Sequence, residues 1–277
     1  MSDLRRRVRT RSYRYILGDT STEAARLRAQ AALWDPTASE LFDRIGVRRG
    51  WKVLEIGPGQ GSLHVELRRR VRGPVDFVEP SDVFRARLET LCAKDGFGRG
   101  DRWESTLDTA SLPRGRYDLI FARWVFLFLP NPQQHVRKLA ASLKPGGLLA
   151  IEDYRRETLS MIPTPAEWPA FMAADAAFFS TNGGDVSIAS ALPALFEKAG
   201  LDLVDITPTI RTGHPGSPVW AWLSSYFLGV MNHMASFRPF DREQARRLRR
   251  HWLASSRKKT SLLIGPALID VVGRRRG

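Results

Sequence analysis

Val53-Leu54-Glu55-Ile56-Gly57-Pro58-Gly59-Gln60-Gly61-Ser62-Leu63 is the run that decides the fold. A short buried strand ends in three glycines at alternate positions, and Ser62 then opens a helix. Such a loop lets a ligand approach bare backbone, because no Cβ stands in the way and the helix start offers free N–H groups. Glu55 stands two residues before the first glycine. It is therefore at the carboxyl end of the strand, where open α/β sheets bind ligands.

Outward from this run, strands and helices alternate. Residues 75–78 read as a second strand ending in Glu79-Pro80, and Ser81 caps a helix to about residue 94. A weak third strand falls at 103–107. Residues 117–122 form a strong apolar strand and 132–143 a helix. Lys144-Pro145-Gly146-Gly147 is a tight turn before a buried strand at 148–152, and 201–210 and 262–272 supply the last two strands. This order predicts an α/β fold: a doubly wound, mostly parallel, seven-stranded Rossmann-like sheet covered on both faces.

The flanks read as helical. Thr20-Ser21-Thr22-Glu23 is a capping box. Asp35-Pro36 is expected to cap a second, separate helix whose buried stripe is Leu41, Phe42 and Ile45. A further capping box lies at 164–167, with Pro169 moving the helix start later, and a short helix spans 191–199. The stretch between the last two strands is too long for a hairpin and is expected to carry helices at 217–234 and 242–255. The chain thus divides into an N-terminal helical lid (1–46), a ligand-binding core (47–154), and a segment (155–277) whose insertions and last two strands complete the same domain.

Composition narrows the function. At 277 residues, 43% hydrophobic and 26% charged, the chain has ordinary globular character. No apolar run reaches the roughly 18 residues that span a bilayer. The Arg-rich start has no apolar segment behind it, so it is not a secretory signal, and a cytoplasmic location is expected. The single cysteine, Cys92, excludes an internal disulfide and a Cys-based zinc site. The net charge of +14 admits an anionic partner such as RNA, with 242–259 as the basic segment. Solvated basic faces are the commoner outcome.

A glycine-rich turn with an acid about twenty residues downstream also suits a dinucleotide. Glu79 meets that spacing. Against it stand the glycine spacing (Gly57, Gly59, Gly61 rather than G-x-G-x-x-G), the acid Glu55 within the strand, and Pro58 inside the turn. The order of an acid followed by glycines resembles the first motif of class I S-adenosylmethionine-dependent methyltransferases. Further matches follow in sequence over about 51–153. Glu79 and Pro80 resemble the strand end whose acid takes both ribose hydroxyls. Asp108-Thr109-Ala110-Ser111-Leu112-Pro113 is similar to the segment that meets the adenine. Residues 117–124 resemble the fourth-strand motif, and Leu143-Lys144-Pro145-Gly146-Gly147 is a near-verbatim family turn. Residues 15–18 and 26–30 are similar to the lid of the small-molecule enzymes of quinone and natural-product biosynthesis.

The resemblance implies that S-adenosyl-L-methionine is held by Tyr15, Gln30, Glu55, Gly57, Pro58, Gly59, Gly61, Glu79, Pro80, Asp108, Thr109 and Arg123. It implies methyl transfer to oxygen or nitrogen, less readily carbon, of an apolar small molecule such as a secondary metabolite or quinone-like compound. Trp124, Phe178, Trp220 and Tyr226 are the expected acceptor pocket. His214 and His233 are candidate general bases, and Glu152, Asp153 and Tyr154 are further options. The Asn/Asp-Pro-Pro-aromatic motif of nucleobase amine methyltransferases, the acidic cluster of metal-dependent catechol enzymes and the double-glutamate loop of arginine methyltransferases are missing, and no metal is expected. Two alternatives stay open: an RNA or ribosome methyltransferase using the basic helix, and a non-methylating protein that keeps the ligand site. Monomer and homodimer are equally compatible with the sequence.

Overall fold

Val53 and Glu55 point to one side of their strand and Leu54 and Ile56 to the other, yet all four are buried. A strand buried on both faces lies inside a sheet with helices above and below. The computed structural model of the chain, which describes residues 21–277, shows this arrangement. Tyr15, Thr20 and the Arg-rich start lie outside the described residues.

The elements of the first half are α1 (Ser21–Arg44), β1 (Val53–Ile56), α2 (Ser62–Val71), β2 (Asp76–Val78), α3 (Asp82–Cys92), β3 (Arg102–Trp103), β4 (Tyr117–Arg123), α4 (Pro132–Ser142) and β5 (Leu143–Arg155). The second half adds β6 (Ser160–Ile162), α5 (Trp168–Thr181), α6 (Leu192–Lys198), β7 (Leu201–Thr209), β8 (Thr212–Gly213), α7 (Pro218–Met234), α8 (Arg242–Ser255), β9 (Leu262–Ile264) and β10 (Ala267–Arg275). The main sheet has seven strands in the order β3-β2-β1-β4-β5-β10-β7. The strands from β3 to β5 run parallel, and β10 is antiparallel to both β5 and β7. The switch in strand order on either side of β1 opens a crevice between the carboxyl ends of β1 and β4.

Alternation along the strands separates two apolar layers. Val53, Leu119, Phe121, Leu148 and Ala150 face Ala38, Leu41 and Phe42 of α1 and Leu63 and Leu67 of α2. Leu54, Ile56, Ile120, Ala122, Leu149 and Ile151 face the larger layer, which includes α4, α5, α7 and α8. Ser217 caps α7 by accepting from the Trp220 N–H, and Asp241 with Gln244 forms a complete capping box on α8. Among the described residues no helix is long and apolar enough to cross a membrane.

Three expectations are corrected. Asp35-Pro36 does not separate two helices: α1 runs from Ser21 to Arg44 with Pro36 inside it. Trp34 on one side of the proline and Ala38, Leu41 and Phe42 on the other are fully buried. That anchorage offsets the one backbone hydrogen bond that proline removes. The Asp35 carboxylate, free of capping duty, accepts from Arg123 Nη2 at 2.5 Å. The third strand lies at Arg102–Trp103, ahead of the expected 103–107, and is only two residues long. The last expected strand is two strands. β9 joins β8 and β6 in a separate three-stranded sheet, and β10 alone enters the main sheet. The break falls at Gly265-Pro266, where the Gly265 N–H is taken by Arg211 O at 2.8 Å and Pro266 has none to give.

Candidate functional site

The loop after β1 is shaped by two glycines at which any side chain would be both crowded and strained. A Cβ on Gly57 (φ +64) would lie 2.7 Å from Val125 Cγ2, and one on Gly61 (φ +85) 2.6 Å from Leu88 Cδ2. Between them Gly59 has only its own loop carbonyl within 4 Å of a would-be Cβ, so its bare Cα faces open space. The loop is tied to the neighbouring strand by Gly57 N–H to Val78 O at 2.8 Å. No side chain caps the start of α2, which leaves its first N–H groups to a ligand.

Glu79 closes the loop from the other side. Its Oε2 accepts from Gly59 N–H at 3.2 Å and its Oε1 from Ser81 N–H at 2.9 Å. Burial pushes its carboxyl up to about 7, with the two amides pulling in the opposite direction. Strand alternation sends Glu55 toward α2, where its Oε2 meets Nδ1 of buried His64 at 2.9 Å. Burial works against a charge on His64, but hydrogen bonds to Cys92 and Glu55 prevail and raise it to about 9. Glu55 and His64 thus form a buried hydrogen-bonded pair under the loop.

A cavity of about 320 Å³ extends from this loop. Glu55, Gly57, Pro58, Gly59, Glu79 and Pro80 line one part of it. Asp108 lines it with an exposed carboxylate 3.2 Å from His135 Nε2. Gln30, on the first half of α1, lines it too. Its Oε1 accepts from Arg26 Nη1 at 2.6 Å and Trp222 Nε1 at 3.4 Å.

The remaining lining is aromatic and cationic. Arg123 is the last residue of β4, and its guanidinium lies over the Trp124 ring at 4.4 Å. Trp124 sits in the left-handed region (φ +54), a conformation that costs a non-glycine residue about 1–3 kcal/mol. There its ring stacks on Tyr154 at 5.6 Å. Phe179, Trp222, Tyr226 and Phe227 complete this part. Tyr226 Oη donates to Asp175 Oδ1 at 3.1 Å and accepts from Arg156 Nη1 at 3.4 Å. Arg156 Nε also lies 3.3 Å from Asp175 Oδ2.

The family model described as "Methyltransferase domain" matches residues 17–206, well over half of the chain. The chain belongs to this methyltransferase family. It is 33% identical over 186 residues to "Methyltransferase GfsG" of Streptomyces halstedii, covering 65% of this chain and 63% of that protein. It is 31% identical over 117 residues to "Trans-aconitate 2-methyltransferase" of Rhodopseudomonas palustris, covering 42% and 43%. Each match therefore spans less than two thirds of the relative's own length. Protein BH2331 of Bacillus halodurans C-125 shares the fold at TM-score 0.60 and 12% identity, over 86% of this chain and 98% of that one.

The family motifs fall around the cavity unevenly. Gly61 packs against Leu88 and shapes the loop rather than lining the cavity. Thr109 is exposed, its Oγ1 3.3 Å from that of Thr106, which lines the cavity in its place. Phe178 and Trp220 are buried but point elsewhere: Phe178 meets Phe237 and His233, and Trp220 Nε1 donates to Ser256. Their neighbours Phe179 and Trp222 line the cavity instead.

Neither candidate base is at the cavity, which corrects that expectation. His214 is exposed at the surface, with Nδ1 2.9 Å from Ser261 O, beside Lys258 and Lys259. His233 is exposed on the outer side of α7, with its ring edge against Phe178. No histidine is among the described residues lining the cavity. The sequence reading missed His64 as the partner of Glu55, although a histidine nine residues after a strand-end acid, on the helix that follows, was a usable signal. It also missed Arg156, which lies beyond the motif region and carries no spacing signal.

Proposed function

We propose that the chain binds S-adenosylmethionine along the glycine loop and transfers its methyl group to an oxygen or nitrogen of a largely apolar small molecule, of secondary-metabolite or quinone-like kind. The observation that carries this reading is that one cavity is lined both by Gly57, Gly59 and Glu79 and by Trp124, Tyr154, Phe179 and Trp222. The residues fit the donor. Bare Gly59 admits close approach, and the Glu79 carboxylate has lone pairs left for two hydroxyl donors after its two amides. Gln30 and Arg26 stand where a lid helix meets the cavity. The donor supplies an activated methyl on a sulfonium whose leaving group is neutral. What is left to these residues is alignment and exclusion of water. The two curated relatives, both named as methyltransferases and one for the small molecule trans-aconitate, support the same reading. Calorimetric titration with S-adenosylmethionine tests it. Micromolar binding is expected, and no binding at millimolar donor removes it.

A further inference from the structure

The charged side chains around the cavity are sorted by sign. Its carboxylates come from β1, the end of β2 and the segment after β3: Glu55 is engaged by His64 and Glu79 by the amides of Gly59 and Ser81, while the exposed Asp108 lies 3.2 Å from His135 Nε2. The part built by β4, β5 and the segment after β5 has no acid. It offers Arg123, Trp124, Tyr154 and Arg156. The carboxylates that pair the two arginines, Asp35 and Asp175, lie outside the lining, so the guanidinium ends and not the acids form the wall.

Three donor atoms on these residues are buried without a hydrogen-bond partner: Arg123 Nη1, Trp124 Nε1 and Tyr154 Oη. They belong to one stack, with the Arg123 guanidinium 4.4 Å above the Trp124 ring and that ring 5.6 Å from Tyr154. Buried donors without acceptors are costly, and three of them beside one cavity call for an acceptor. Burial holds the Tyr154 phenol above its ordinary range, so it stays a neutral donor and is no base. Glu152 on β5, buried behind the lining, interacts with Arg123 but does not line the cavity. A wall of ion-paired arginines and neutral donors, with no acid or histidine in its own lining, suits a nucleophile that arrives already deprotonated.

We propose that the acceptor enters as a carboxylate on an apolar or aromatic body, its carboxylate received at the stack of Arg123, Trp124 and Tyr154 and one of its oxygens methylated, so that the product is a methyl ester. This rests on the methyl-donor reading above. A carboxylate oxygen attacks the donor methyl carbon. An O–CH3 bond forms, and the S–CH3 bond breaks with its electron pair staying on sulfur. Anion and sulfonium become a neutral ester and a neutral thioether, and there is no proton to remove. The apolar body of the acceptor would lie against Phe179, Trp222 and Phe227.

The test uses the full chain loaded with S-adenosylhomocysteine, with 2-naphthoate and 2-naphthalenemethanol as probes. Calorimetry is expected to show the acid bound at least tenfold more tightly than the alcohol. In Tyr154→Phe the preference should fall below threefold while donor affinity stays unchanged. Label transferred from the donor to naphthoate should be released as methanol by alkali. Equal or tighter binding of the alcohol, or no binding of naphthoate by a protein that binds donor normally, overturns the proposal. So does a loss of donor affinity in Tyr154→Phe, which would give these donor groups to the methionine carboxylate. A wild-type protein that fails to bind the donor removes the methyl-donor reading itself, a separate result.

Discussion

Glu79 Oε2 and Gly59 N–H are 3.2 Å apart, so the acid at the end of β2 and the glycine loop after β1 are one hydrogen-bonded unit. The carboxylate positions the loop and keeps lone pairs for a ligand. Because burial raises its carboxyl from 4.5 to about 7, the proton on Glu79 competes with the donor. Donor affinity should therefore weaken roughly tenfold per pH unit below about 7 and level off above it. The unliganded protein should show the opposite trend. A raised carboxyl pKa gives stability that is full below 4.5 and lost as pH rises through about 7. Calorimetry and thermal unfolding across this range check both slopes, and Glu79→Gln should flatten each. A wild-type affinity independent of pH would remove Glu79 from donor binding.

The glycines of the loop should fail in different ways. Gly61→Ala places a Cβ 2.6 Å from Leu88 Cδ2 at φ +85, and the clash and strain should cost about 2–4 kcal/mol of stability. Gly59→Ala meets nothing closer than 4.0 Å. It should cost about 1–2 kcal/mol for its left-handed backbone while lowering donor affinity by roughly tenfold or more, since the methyl projects into the ligand's path. Melting temperature and donor affinity, measured on both variants, separate the two effects. Equal stability loss with unchanged affinity in Gly59→Ala would show that the donor does not touch this backbone.

His64 and Glu55 supply a third test, read through stability. The ring is raised from 6.5 to about 9 by Cys92 and Glu55 against the effect of burial. Its contribution is complete below 6.5 and is lost as pH rises through about 9. Denaturant unfolding of the wild type should weaken across that window. His64→Leu should lack the slope and be less stable at neutral pH by about 3–5 kcal/mol, because Glu55 is left buried and unpaired. If the variant is as stable as the wild type at neutral pH, the pair is not ionised.

The elements around the glycine run could be read from the sequence because local chemistry marks them. Ser62–Val71 and Pro132–Ser142 begin at a glycine loop and an Asn-Pro step, and Pro218–Met234 begins at Ser217-Pro218. What could not be read depended on tertiary anchorage or helical phase. Pro36 stays within α1 only because buried residues hold the helix on both sides. The split at Gly265 is enforced by a partner, Arg211, that is remote in sequence. The pocket residues fell one or two positions off, Trp222 for Trp220 and Phe179 for Phe178. α5 and α7 are apolar on most sides, so periodicity does not say which aromatic faces the cavity. The histidines failed for a similar reason: presence in a lid helix fixes no direction.

That failure gives the last prediction. His214 and His233 lie away from the cavity, so neither can reach a proton on a bound acceptor. His214→Ala loses one surface hydrogen bond to Ser261 O, and His233→Ala loses edge contacts with Phe178 and Phe237. Each should cost no more than about 1 kcal/mol of stability. Donor affinity and the rate of methyl transfer, measured with any acceptor the wild type accepts, should change less than twofold in the single variants and in the double variant. A fall of a hundredfold or more in rate with donor affinity intact would mean that one of these rings swings into the site during turnover. It would also restore a base-assisted route for a neutral hydroxyl acceptor, for which the described residues lining the cavity offer no histidine.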